Sequence, residues 1–208
     1  MYIKTLPVGY LETNCFVVTD GTSGECAVID PGDEPDVISG YLKANNLKCA
    51  AMLLTHGHFD HTGALGALLR DHPATVYMGK KDSNVKLGGT GFAFIPPEDS
   101  VFCSEGDVIK VGEAEFAVIE TPGHTPGGLT FICNGALFTG DTLFCSSCGR
   151  TDFPGGNADV LMKSLKKLYD LPGDYDVYPG HAEITTLERE RKTNYYMKYA
   201  CKTDAGTQ

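Results

Sequence analysis

The sequence predicts an α/β protein in which two sheets pack face to face with helices outside. Three observations lead there: strand-like and helix-like segments are mixed along the chain, each half is rich in strands, and each half carries a strand that runs straight into a polar loop. A sheet must bury its apolar face against another layer, and a second sheet with outer helices provides it.

Residues 1–6, 14–19 and 25–29 read as strands, the last two joined by the turn Asp20-Gly-Thr-Ser-Gly24. Asp30-Pro-Gly-Asp33 breaks the pattern. A helix is expected over about 34–45, with Val37, Ile38, Tyr41 and Leu42 on one face. A short apolar strand at 49–54 leads into Thr55-His-Gly-His-Phe-Asp-His61, after which Thr62 is expected to cap a helix at 63–70. Residues 74–78 form another strand. Gly88-Gly-Thr-Gly91 and Pro96-Pro97 mark 79–100 as a long loop or lid. Strands are expected at 107–111, 114–120, 128–132 and 136–138, separated by glycine-rich turns. An amphipathic helix at 157–169 carries Val160, Leu161, Leu165 and Leu168; a short strand at 176–178 and a last helix at 185–199, rich in Glu and Arg, complete the chain.

A chain of 208 residues can bury roughly 70% of its unfolded surface, so a single domain over 1–208 needs no disulfide to have a core. Its 42% hydrophobic and 21% charged residues are ordinary for a globular protein. A net charge of −10 and a pI near 4.9 argue against nucleic acid as a partner, because such binding needs basic side chains on phosphates. No run of 18 apolar residues and no signal-peptide pattern occurs, so no membrane association is expected and the location is read as cytoplasmic. Eight cysteines are scattered, several in strand-like runs, and are expected to be reduced thiols. Oligomeric state is left as monomer or homodimer, with Tyr195 and Tyr196 on the last helix as a contact surface.

Five of the six histidines sit in three short loops: His56, His58 and His61 in T-H-G-H-F-D-H, His124 in T-P-G-H-T-P-G-G, and His181 in Y-P-G-H-A-E. Neutral imidazole is a good transition-metal ligand, and each loop follows an expected strand, so the histidines can converge on one cleft. Alternate residues of an extended chain share a side, which places His56, His58 and Asp60 together. Glycines 57, 123 and 180 precede His58, His124 and His181 and allow close approach to a crowded centre. With Asp60 and Asp141 there are seven candidate ligands, too many for one open tetrahedral site and suited to two metals bridged by Asp141. His72, at a helix end, is read as an ordinary hydrogen-bonded residue.

With these motifs the sequence resembles the metallo-β-lactamase superfamily, whose H-x-H-x-D-H motif is matched by His56, His58, Asp60 and His61. The resemblance implies a four-layer αββα sandwich with two mixed sheets. It also implies that His56, His58 and His124 hold one metal, Asp60, His61 and His181 the other, and that Asp141 bridges them. Within the superfamily the chain is similar to short bacterial glyoxalase II-like hydrolases, through Gly149-Arg-Thr-Asp-Phe153, Pro179-Gly-His181 and Thr185-Thr-Leu-Glu-Arg-Glu190. That likeness implies a thioesterase for hydroxyacyl-thiol substrates of the S-D-lactoylglutathione type, with two Zn2+, or Fe or a mixed pair, in its centre. A metal-bridging hydroxide would attack the thioester, with Asp60 and Asp141 as catalytic acids of the site. The same G-R-T-D-F segment is shared by persulfide dioxygenases, which use one iron on two histidines and an aspartate, here His56 or His58 with His124 and Asp141; hydrolysis of other esters is a further alternative. Arg150 is the candidate for binding a substrate carboxylate, against an ion pair with Asp152. Cys145 and Cys148 form a C-x-x-C pair without a second pair to complete a zinc knuckle, and are read as loop cysteines near the site.

Overall fold

The computed structural model describes residues 1–84 and 94–205. One sheet runs in the order β1 (Tyr2–Val8), β2 (Thr13–Thr19), β3 (Glu25–Ile29), β4 (Lys48–Leu53), β5 (Thr75–Gly79) and β6 (Val101–Cys103). Its first two joints are antiparallel and the other three parallel. The second sheet contains β7 (Val108–Val111), β8 (Ala114–Glu120), β9 (Leu129–Cys133), β10 (Ala136–Gly140), β13 (Asp176–Pro179) and β14 (Thr185–Thr186), in the order β14-β13-β10-β9-β8-β7. A small hairpin of β11 (Leu143–Phe144) and β12 (Ser147–Cys148) stands apart from both. The helices are α1 (Pro35–Ala44), α2 (Phe59–Thr62), α3 (Leu65–Asp71), α4 (Ala158–Tyr169), α5 (Leu187–Thr193) and α6 (Tyr195–Ala205).

Strand alternation makes the layers. Phe16 and Val18 of β2, Ala27 and Ile29 of β3 and Leu53 of β4 face inward, onto Phe116 and Val118 of β8, Phe131 of β9 and Phe138 of β10. Their alternate neighbours Val17, Val28 and Met52 face the other way and meet Ile38, Leu42, Leu65 and Leu68 of α1 and α3. On the far side, Leu137 and Val177 meet Leu165 and Leu168 of α4, Leu187 of α5 and Met197 of α6. Three apolar interfaces between four layers give the αββα sandwich. Cys15, Cys26, Cys49, Cys103, Cys133, Cys145 and Cys148 are thiols without a disulfide. No helix among the described residues is long and apolar enough to cross a membrane.

The strands at 25–29 and 114–120 fall where the sequence predicts them. Three expectations are corrected and one unforeseen strand is added. Thr62 caps no following helix: it ends α2, and its hydroxyl donates to the His58 carbonyl (3.0 Å). The expected loop 79–100 begins with a 3-10 helix, Lys80–Asn84, while its glycine run at 88–91 lies outside the described residues. Strand β6 carries only three residues and no apolar alternation that would announce it. The last helix is not continuous, because Asn194 interrupts it with an extended backbone (φ −67°, ψ 122°).

The Asn194 break has a side-chain cause. Its Oδ1 accepts from the Tyr196 and Met197 amides (2.9 and 3.3 Å) and starts α6 as an N-cap. Its Nδ2 donates to the Phe144 and Ser147 carbonyls and to Glu190 Oε2, tying the β11–β12 hairpin to the helix pair. Asn194 is fully buried, so Asn194→Ala removes a cap and strands two carbonyls. A loss of about 2 kcal/mol in urea unfolding is expected, and an unchanged midpoint would show that the network is replaceable.

Candidate metal centre

In the second sheet β9 is antiparallel to both β8 and β10, and β13 is parallel to β10, so the carboxyl ends of β8, β10 and β13 share one edge. Parallel β3 and β4 end beside them, and the bonds Leu129 N to Thr55 O (2.8 Å) and Asn14 N to Gly180 O (2.8 Å) join the two sheets there. All seven predicted ligands meet at this edge, at the ends of β4, β8, β10 and β13.

They form two groups. His56, His58 and His124 bring one ligand atom each within 4.8 Å of one another, and so do Asp60, His61 and His181. Asp60 stands with His61 and His181, as the resemblance implies, and not on the side that an extended chain would share with His56 and His58. His58 is the last extended residue (ψ 149°), and the α2 turn that begins at Phe59 carries Asp60 round to His61.

The outer hydrogen bonds set the tautomers. His124 Nδ1 lies 2.7 Å from the Arg150 carbonyl, which can only accept, so its Nε2 carries a lone pair. Thr55 Oγ1 donates to Asp30 Oδ2 (2.6 Å) and therefore accepts from His56 Nδ1 (3.1 Å), which leaves a lone pair on His56 Nε2. Both lone pairs point at His58 Nδ1, at 2.9 and 2.8 Å. In the other group His61 Nδ1 donates to Asp30 Oδ2 (2.9 Å) and His181 Nδ1 to the Leu11 carbonyl (3.2 Å), turning both Nε2 atoms toward Asp60 Oδ2 at 3.6 and 3.2 Å. Asp141 spans the groups, with Oδ1 3.4 Å from His61 Nε2 and Oδ2 3.3 Å from His124 Nε2 and 3.7 Å from His181 Nε2. Converging lone pairs and carboxylates repel one another unless a cation lies among them. Asp141 Oδ1 is also buried without a hydrogen-bond partner, so the donor set fits divalent metal ions.

The protonation balance agrees. Burial, followed by the neighbouring histidines, holds His56 well below the usual imidazole range, and burial with the His124 charge pushes His58 down to about 4. Burial would raise the Asp141 carboxyl, but His61, His124 and His181 together hold it well below the usual carboxylate range. Burial opposes charge on His61, yet the Asp141 and Asp30 carboxylates overcome it and raise the imidazole well above its ordinary value. His56 and His58 are thus held neutral beside ionised carboxylates, the forms that bind metal, whereas the carboxylates raise His61 and His181 against burial and mark where positive charge is favoured.

Residues 8–181 match the family model described as the Metallo-beta-lactamase superfamily. The chain belongs to this superfamily. It is 33% identical to the hydroxyacylglutathione hydrolase GloC of Haemophilus influenzae, over 95% of this chain and 98% of that one. Among solved structures it is similar to BLEG-1, a B3 metallo-beta-lactamase (TM-score 0.84, 31% identity, 94% of this chain and 99% of that one). It is also similar to TTHA1623 in a di-iron-bound form (0.81, 35%, 93% and 99%) and to ETHE1 from Myxococcus xanthus (0.79, 30%, 94% and 84%).

Behind the superfamily motif stand residues that sequence reasoning did not single out as part of the site. Asp30 is 1% exposed and holds three groups, the Thr55 amide and hydroxyl and His61 Nδ1. Its signal is an acid placed directly after the apolar run of β3. Asp82 is fully buried and accepts from the Gly57 and Gly127 amides and the Thr125 hydroxyl, so it ties the His56–His58 loop to the His124 loop. Its segment reads as featureless loop and gives no such signal. Asn14 donates to the carbonyls of Pro179 and Ala182 on either side of His181 and so supports that loop. A Cβ on Gly180 would lie 2.4 Å from Asp141 Oδ1 and 2.7 Å from His61 Cε1, so only glycine lets this loop approach the centre. Gly123 (φ +135°) is a different case: its close neighbour is the backbone of Leu161 in α4, not the centre.

Asp30→Asn keeps the shape but leaves Thr55 and His61 competing for a weaker acceptor. Metal affinity is expected to fall about 10–100-fold, as read by competition with a chromophoric chelator. An affinity equal to that of the parent protein would remove Asp30 from the site.

Arg150 lies in the wall of the cleft, but the alternative reading of this residue holds. Its Nε and Nη2 donate to the two oxygens of Asp152 (2.7 and 2.6 Å), and its Cζ lies 3.9 Å over the Phe153 ring. The Arg150 hydrogen bonds hold the Asp152 carboxyl at about 2. Cys145 lies in the turn of the β11–β12 hairpin, and Cys148 ends β12 opposite Leu143. Arg189 donates to Cys145 Sγ (2.7 Å), while burial pushes the Cys148 thiol, packed beside α4 and α6, up to about 11. His72 bonds the Ser39 hydroxyl (2.8 Å) far from the site.

Proposed function

We propose that this chain is a metal-dependent hydrolase that cleaves thioesters of the hydroxyacyl-thiol type at a dinuclear centre. His56, His58 and His124 would hold one metal, Asp60, His61 and His181 the other, and Asp141 would touch both. The observation that carries this reading is the convergence of two ligand groups on one shared carboxylate, which a single ion does not require. The likeness to GloC and to a di-iron-bound structure supports it.

Bound divalent metals supply Lewis acidity and lower the pKa of water to about 7. The chain does the rest. Asp30, through His61 and Thr55, and the Arg150 and Leu11 carbonyls, through His124 and His181, hold the imidazoles in the donor tautomer. Burial would raise the Asp60 carboxyl, but His181 and His61 together hold it below its usual value and keep it ionised, and Thr13 Oγ1 donates to its Oδ2 (3.3 Å). Asp60 lies in the wall of the cleft and can orient an attacking water, while Asp141 holds the two groups in register. A thiolate then leaves without needing a strong general acid.

The likeness to ETHE1 fits the alternative reading, a persulfide dioxygenase with one iron. Metal analysis of anaerobically purified protein, with thioester and persulfide assays on the same sample, separates the two. About two equivalents of zinc, iron or both, with oxygen-independent thioester cleavage, is the expected result. One equivalent of iron with oxygen uptake on persulfide would overturn it.

A further inference from the structure

The metal centre opens into a cleft of about 590 Å³. One of its walls is the β11–β12 hairpin, which supplies Phe144, Ser147 and Cys148. The Phe144 ring meets the His181 ring edge-on at 5.9 Å, so this wall stands directly against the Asp60–His61–His181 group.

The hairpin cannot hold itself. It has two residues a side and forms a sheet of its own, and an isolated two-stranded ribbon is marginal in water. Its turn also carries a cost, because Ser146 takes φ +59°, a region that residues other than glycine rarely adopt.

What fixes the turn comes from α5 and the residue that follows it. Glu190 is fully buried. Its Oε2 accepts from the Ser146 amide (2.7 Å) and from Asn194 Nδ2 (2.9 Å), and its Oε1 accepts from the Thr185 hydroxyl (2.7 Å). Asn194 Nδ2 also reaches the Phe144 and Ser147 carbonyls, on either side of the turn (3.3 and 2.9 Å). The stretch Thr185-Thr-Leu-Glu-Arg-Glu190 is accounted for in the same way. Thr186 starts α5 by accepting from the Arg189 amide (3.2 Å), which presents Glu190 one turn later to Thr185 and to the hairpin.

We propose that Phe144 is a substrate-contact residue and that Glu190 and Asn194 are positioning residues that hold its hairpin against the substrate. The fit of the acyl-thiol is then set from a helix outside the cleft. This rests on the thioesterase reading above and gives it one binding wall.

S-D-lactoylglutathione is the probe. Glu190→Gln presents one acceptor oxygen and one NH2 to three donors. It is expected to raise KM about tenfold through the lost buried hydrogen bond, with kcat within about twofold of the parent value and the bound metal retained. Phe144→Ala should raise KM by a similar factor, and the double variant no further, because residues that act through one another are not additive. The chain contains no Trp, so Phe144→Trp places a single reporter on the hairpin. Adding Glu190→Gln to it should shift its emission to the red and increase its quenching by acrylamide.

A KM that Glu190→Gln leaves at the parent value, additive KM changes, or a fall in kcat together with bound metal overturns the proposal. If Glu190→Gln lacks the far-UV circular dichroism of the parent, Asn194→Ala takes its place with the same expectations. If the parent protein cleaves no thioester, the thioesterase reading fails by itself, and the tryptophan reporter still decides the positioning role. Increased quenching upholds that role, and unchanged quenching overturns it.

Discussion

Replacing Asp141 by Asn is expected to lower thioester turnover at least about 100-fold and to reduce bound metal from about two equivalents toward one. The size follows from position. A single carboxylate approaches nitrogens of both ligand groups, His61 through Oδ1 and His124 and His181 through Oδ2. An amide of the same shape loses the charge, and its NH2 turns donor hydrogens toward a metal position. Removing one electrostatic stabiliser from an active site costs about 100–1000-fold, and here a metal is affected as well. Far-UV circular dichroism should be unaltered, because Asp141 sits after β10 and not within the core. Metal analysis and kcat/KM on the same preparation give the readout. Two equivalents of metal with undiminished turnover would show that the two groups do not share this acid.

The second large effect is on stability. Phe138→Ala is expected to cost about 3–5 kcal/mol and to lower Tm by roughly 10 °C for a chain of this size. Phe138 is fully buried. Its ring lies 5.4 Å from Phe16 of the opposite sheet, 5.2 Å in a stacked arrangement from Tyr178 and 6.4 Å from Phe116. Such aromatic contacts add to the burial itself, and the cavity would open between two rigid sheets that cannot collapse into it. Denaturant unfolding with the metals removed by chelation isolates this effect from metal binding, which stabilises only the folded state. A loss below about 1 kcal/mol would mean that neighbouring rings refill the space. Because β10 ends at the Asp141 loop, the same substitution should also weaken metal binding.

Much of this was readable before any coordinates. The alternation of Phe16, Val17 and Val18 and of Ala27, Val28 and Ile29 announces strands covered on both sides, and the helix of Leu161, Leu165 and Leu168 announces its outer cover. Histidine placement announced the centre, since five of six lie in loops that follow strands.

The sequence by itself determined the inventory: which segments are extended, which acids and imidazoles gather at strand ends, and that there are enough of them for two metals. The tertiary structure decided the geometry by which they are shared out as the family resemblance implies. Asp60 joins His61 and His181 because a single helical turn starts at Phe59, and His58 meets His124 from 66 positions away. It also decided the support. Asp30 and Asp82 hold groups 25 to 45 residues distant, Asn194 breaks a helix to reach the Phe144 and Ser147 carbonyls, and Arg150 in the cleft wall is paired with Asp152. The reason is physical. Periodicity and capping report on neighbours within a turn or a strand, whereas a buried polar group takes whatever partner the packing brings to it.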